Sequence, residues 1–135
     1  LFLKLRQINV PFEYHGYVYD EKEKNEIYRR CNYGLNCMKD TVFVGLTMKS
    51  MDYLSHGIPL INNIVKDSYN MVEENNIGFN ISMDCLEKVA AEVCSVTAEE
   101  YRQMCMNVVS VFQSEFSTEI IDRKMDEVIQ RLEEN

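Results

Sequence analysis

The chain has 135 residues, 46% of them apolar, and a formal net charge of -8 at pH 7. That length holds one domain with a real core, the composition is that of a soluble globular chain, and no apolar stretch approaches the ~20 residues needed to span a membrane. So acidic a surface repels phosphate backbones and argues against nucleic acid as a partner, although a helix N-terminus can still hold an anion locally.

No signal peptide is visible, and the opening Leu1 leads us to expect a piece of a longer chain. The five cysteines, Cys31, Cys37, Cys85, Cys94 and Cys105, form no CxxC pair and mostly fall in apolar-periodic segments. They read as reduced, buried thiols of a cytosolic protein.

In chain order, residues 1–9 read as the tail of a helix. Residues 10–16 alternate Phe12 and Tyr14 with Glu13 and His15 and are expected to form a strand, with Gly16 as the turn after it. Asp20, with Glu23 three residues on, opens a helix over 20–31 as a capping box. Residues 33–38 suit a short buried strand, and 39–45 a loop or bulge. In 46–56, Met48, Met51 and Leu54 form an apolar stripe, closed by Gly57 and Pro59. A buried strand follows at 58–62, then a helix over 66–76 with Asp67 as N-cap, and a third short strand at 79–82. Asp84 is expected to cap a helix over 85–94, and Thr97 with Glu100 to open one over 97–116. A last amphipathic helix begins at Ser117 or Thr118 and runs to Asn135.

Strands thus alternate with helices, which predicts an α/β fold: a partial Rossmann-like parallel sheet with helices on both faces and a helical C-terminal end, residues 1–135 making one incomplete domain. Ligands on such sheets bind beyond the carboxyl ends of the strands, where helix N-termini point. The start of the 46–56 helix lies there. Its free N–H groups and dipole favour an anion, Lys49 adds a charge, and Thr47 or Ser50 can donate hydroxyl bonds. Asp52, three residues past Lys49, shares its face and could accept from the paired hydroxyls of a ribose. The same residues also suit a plain reading in which Thr47 caps, Lys49 is solvated and Asp52 sits in an acid-tolerant first half.

Residues 50–61, SMDYLSHGIPLI, resemble the acidic-residue helix of the family-4 retaining glycosyltransferases of the GT-B fold, with its small-x-Gly-x-Pro stop and apolar strand. The segments before it (12–36) and after it (72–82) resemble the flanking elements of the same family in register, so the likeness covers residues 10–82. It implies the C-terminal, donor-nucleotide half of a GT-B fold and a nucleotide-diphosphate-sugar donor. Asp52 stands where the family's acid binds the ribose. The N–H groups of Leu46, Thr47, Met48, Lys49 and Ser50, next to Gly45, stand where the diphosphate binds, and Gly16, Tyr17 and Val18 where the turn contacts the base. The family often carries a second acid near the donor sugar, eight residues before the first; Val44 occupies that position.

The likeness also implies a missing N-terminal acceptor domain, so no catalytic residue is expected within these residues and the isolated piece is expected to be inactive. The complete protein would make a surface polysaccharide or glycolipid, in the cytoplasm or at the cytoplasmic face of a membrane. No cofactor and no metal are expected, since no His, Cys, Asp or Glu cluster has ligand spacing. Of the remaining residues, His15 reads as partly buried and structural, His56 as a helix C-terminal cap, and the eight methionines as core. Apolar surface left by absent parts could drive self-association. The rivals are a non-catalytic glycosyltransferase-like partner subunit and an unrelated nucleotide-binding Rossmann-like module.

Overall fold

The computed structural model describes residues 2–39 and 41–133, the side chains of residues 2 and 3 excepted. Helix α1 is Phe2–Gln7 and α2 is Glu21–Tyr28. Strand β1 (Gly34–Asn36), α3 (Met48–Ser55), β2 (Leu60–Asn62), α4 (Asp67–Asn75) and β3 (Gly78–Asn80) follow. Then come α5 (Leu86–Ser95), α6 (Ala98–Val111), a π-helical turn (Phe112–Phe116) and α7 (Thr118–Glu133). The sheet is parallel, in the order β1-β2-β3, with Gly34 opposite Leu60 and Leu60 opposite Gly78. It is α/β and partially Rossmann-like, as the alternation predicts.

Two like-handed crossovers in one direction put α3 and α4 on the same face, and the core confirms it. Leu54 of α3, Leu60 of β2, Val72 of α4, Ile77, and Val108 and Val111 of α6 form one buried cluster. Each such side chain contributes about 1.5–3 kcal/mol of transfer free energy. On the other face Leu35, Ile61 and Phe79 lie side by side. Cover is thinner there: α5 packs beside β3, and Leu35 is 61% exposed.

Each strand ends in an asparagine, and the register sets the three in a row. Asn36 Nδ2 donates to Asn62 Oδ1 (2.9 Å), and Asn62 Nδ2 donates to Asn80 Oδ1 (2.7 Å). Thr47 Oγ1 donates to Asn36 Oδ1 (2.7 Å) at one end. Asn80 Nδ2 donates to the Tyr69 carbonyl and to Glu73 Oε1 (both 3.1 Å) at the other. Asn36 and Asn62 are buried, and no buried side-chain polar atom among the described residues lacks a partner. This satisfied ladder ties the start of α3 to α4 across the sheet.

Several expectations are corrected. Residues 10–16 form no strand, because alternation makes a strand only where a neighbour supplies a ladder; here Tyr14, Tyr17 and Tyr19 face solvent. The segment is held instead by Glu13, which takes both its bonds from Arg30 Nη2 at 2.9 Å. His15, expected to be partly buried, is exposed and lies 3.3 Å from Glu13. Lys66, not Asp67, precedes the first turn of α4, and Cys85, not Asp84, that of α5. No cysteine is buried: Cys31, Cys37 and Cys94 are exposed, Cys85 and Cys105 half-buried, and all are free thiols. They fall at element ends and on outer helix faces, where apolar spacing does not imply burial. Thr47 caps α3 and Thr97 caps α6 as expected; Asp20 caps α2 by accepting from the Glu23 amide, without the return bond of the expected box; and Gly57, at φ 68°, ends α3 in the left-handed conformation that a Cβ penalises. Residues 134 and 135 of the expected last helix lie outside the described residues.

Candidate functional site

The carboxyl ends of β1 and β2 open onto two neighbouring features, the tip of α3 and a cavity. At the tip, Thr47 caps the helix from an extended conformation. Its Oγ1 accepts from the Ser50 amide (3.1 Å), while Ser50 Oγ accepts from the Thr47 amide (3.1 Å) and donates to the Thr47 carbonyl (2.7 Å). Both residues are buried, and both hydroxyl protons are committed within the fold, Thr47's to Asn36. The expectation that Thr47 or Ser50 donates a hydroxyl bond to a ligand is therefore corrected.

What the box leaves open are the amides of Met48 and Lys49, which donate to no partner among the described residues. Both residues are exposed. The Lys49 ammonium lies near the end of β1: partial desolvation pushes the thiol of the exposed Cys37 up, and Lys49 pulls it the other way. Gly45 and Leu46 lead into this tip and are half-buried.

Asp52 lies one turn in and is half-buried, without an ion pair among the described residues. It faces α2. Burial raises the Tyr28 phenol, and the Asp52 carboxylate raises it further. The two helices are joined by the Tyr28–Tyr53 edge contact (5.9 Å between centroids) and by His56. His56 Nδ1 donates to the Asp52 carbonyl (2.7 Å), since a carbonyl only accepts, and Nε2 meets Asn25 Oδ1 at 2.5 Å. His56 is thus the C-cap of α3, as expected.

Gly16, Tyr17 and Val18 form the turn that feeds α2. Gly16 has φ 69°, and the Tyr17 ring, 88% exposed, lies 6.4 Å from that of Tyr19 at 17°. No hydrogen bond, ion pair or ring contact among the described residues joins these three to α3. Residues 45–52 thus lie together at one helix tip, and no contact of these kinds ties the turn to α3.

The cavity, of about 460 Å³, lies between Met38, Lys39 and residues 42–45 on one side and residues 63–67 on the other. Of the donor-site residues expected from the sequence it contains Gly45, together with Val44, which stands where the resembled family often has an acid. Its floor is clamped by Asn63, whose side chain accepts from the Met38 amide (2.8 Å) and donates to the Met38 carbonyl (2.9 Å). Lys39, Lys66 and Asp67 bring charge to a lining otherwise formed mainly by Met38, Val42, Phe43, Ile64 and Val65. Lys66 Nζ sits 4.3 Å from the Phe43 centroid, a cation–π contact. A Cβ on Gly45 would collide with Asp67 Oδ2, and Ser68 Oγ donates to the Gly45 carbonyl. The signal for this second feature was the strand-end rule itself: applied to β2 as it was to β1, it points to Lys66 and Asp67.

Among the described residues no three His, Cys, Asp or Glu side chains come together to hold a metal, and no helix is long and apolar enough to cross a membrane.

Residues 16–124 match the family model described as glucosyltransferase 3-like, C-terminal domain. No curated protein and no solved structure matches the chain.

Proposed function

The chain belongs to the family of glucosyltransferase 3-like C-terminal domains, and from that premise we propose that it is the donor-binding part of a glycosyltransferase of the GT-B kind. The donor is a nucleotide-diphosphate-sugar. Its diphosphate is held at the tip of α3 by the amides of Met48 and Lys49 and by the Lys49 ammonium. Asp52, one turn along, accepts from the ribose hydroxyls, and the Gly16–Val18 turn meets the base. The observation that carries this reading is the pair of amides without a partner among the described residues, beside a lysine at the carboxyl end of a parallel sheet, with a half-buried carboxylate one turn on that makes no ion pair among those residues.

In transfer, donors that point at the departing diphosphate stabilise the charge that develops on it. The amides and Lys49 supply that part. The acceptor and the acid–base groups come from a further domain of the same protein, so the 135 residues alone transfer no sugar; turnover of a nucleotide sugar by the isolated residues would refute this. The whole protein works at the cytoplasmic side, with retention, in making a surface polysaccharide or glycolipid.

The direct test is a titration of the full-length protein with nucleoside diphosphates. Asp52→Ala is expected to weaken binding about 10-fold, the loss of one or two charge-assisted hydroxyl bonds; equal affinity removes Asp52 from the ribose role. Val44, where the resembled family often has an acid, favours a second reading as a non-catalytic partner subunit, for which full-length protein would bind nucleotide and turn nothing over.

A further inference from the structure

The cavity beside the α3 tip holds charged groups that the reading above does not use. Lys66 and Asp67 open α4, and this start carries no side-chain cap: Lys66 stands at φ 65°, ψ -121°, its carbonyl accepting from the Asn70 amide (2.9 Å) but its side chain making no hydrogen bond to the first turn. The Asp67 carboxylate makes no hydrogen bond or ion pair with another described residue. It lies against the backbone of Gly45, in the space that a Cβ would fill. That places an acceptor-only group in the wall between the cavity and the α3 tip. It is the one carboxylate among the described residues lining the cavity, since neighbouring Val44 brings none.

The rest of the lining suits a sugar better than a second anion. Phe43, 85% exposed, carries Lys66 Nζ over one face of its ring and offers the other, and Ile64 and Val65 continue the apolar wall. A hexose presents apolar C–H faces to such surfaces and hydroxyl protons to a carboxylate. The volume, about 460 Å³, falls within the range of about 300–1,000 Å³ of small-molecule sites.

We propose that this cavity seats the donor's sugar, with the Asp67 carboxylate accepting hydrogen bonds from its hydroxyls while Phe43 covers a C–H face. The proposal rests on the donor reading above and adds the residue that distinguishes a sugar nucleotide from the bare diphosphate. Gly45 is then required to admit Asp67. An acid in the first turn of α4 is also mildly favoured by the helix dipole, so stability alone does not test the role.

The sign of the expected effect does. Removing a negative charge near a diphosphate site leaves a diphosphate bound as well or better, whereas losing an acceptor weakens only the ligand that carries the hydroxyls. The experiment is calorimetric titration of the full-length protein with UDP, GDP and dTDP and with the glucose ester of each. For the base that binds, Asp67→Asn and Asp67→Ala are expected to lower affinity for the ester about 10- to 100-fold, the effect of a hydrogen bond to a charged group. They are expected to leave the diphosphate within about twofold of wild type, or tighter. Unchanged ester affinity in both variants, or ester and diphosphate falling together, overturns the proposal and leaves the donor reading standing. Failure of the wild-type protein to bind any of the six overturns the donor reading, and the proposal with it. An unfolding midpoint measured on each variant shows that the comparison is between folded proteins.

Discussion

Two helices start at the same end of the sheet, after neighbouring strands, and they start in opposite ways. The start of α3 is closed: Thr47 and Ser50 satisfy one another, are buried, and are anchored to Asn36. The start of α4 is open: Lys66 takes a left-handed φ, offers no cap, and leaves two opposite charges at the cavity mouth. The polar residues that look most like ligand donors, the hydroxyls, are the ones the fold consumes. The charged residues that look like ordinary solvated surface are the ones left without an ion pair among the described residues, Lys66 resting only on the Phe43 ring.

The largest effect comes from cutting the ladder that joins the two starts. Asn62→Ala orphans Asn36 Nδ2, Asn80 Oδ1 and the Ile64 amide, which also bonds Asn62 Oδ1. It is expected to cost about 3 kcal/mol or more in urea unfolding; a loss near zero would mean that the two starts are independent. Thr47→Ala, which opens the α3 box and frees Asn36 Oδ1, is expected to cost about 1–2 kcal/mol by the same measurement.

Lys66→Gly acts on the other start and with the other sign. It relieves the positive φ, so the thermal midpoint is expected to rise, by the equivalent of about 1 kcal/mol, while the affinity for a diphosphate falls with the lost cation. A fall in both would show that Lys66 is held in place by contacts worth more than its strain.

The smallest effect sharpens the comparison with a third start. The box at α6 matches that at α3 but is exposed and charged. The Thr97 amide and hydroxyl hold Glu100 below the usual carboxylate range. A depressed folded value means that its contribution is present above the ordinary glutamate range and is lost as pH falls through the folded value. The stability difference between wild type and Glu100→Gln is therefore expected to narrow in acid, whereas that for Thr47→Ala stays flat, because the α3 box carries no ionisable group.

Much of this was legible from residue order. The alternation of elements, the capping residues Asp20, Thr47 and Thr97, the stop at Gly57 and the three short strands all follow from local periodicity and local hydrogen bonding, which neighbours in sequence decide. The strand expected at 10–16 was not, because a strand needs a partner and periodicity does not say whether one exists. Nor was the burial of the cysteines, which depends on which helix face the core chose.

The candidate site divides along the same line. Residue order alone placed Lys49 and Asp52 one turn apart at a helix start and set that start at a strand end. Only the tertiary structure decided which polar groups there are free. The Thr47 proton goes to Asn36, eleven residues away, and the Asp67 carboxylate lies on Gly45 from the far side of β2. Availability is a property of what the fold brings within 3 Å, and a hydroxyl pattern cannot announce it.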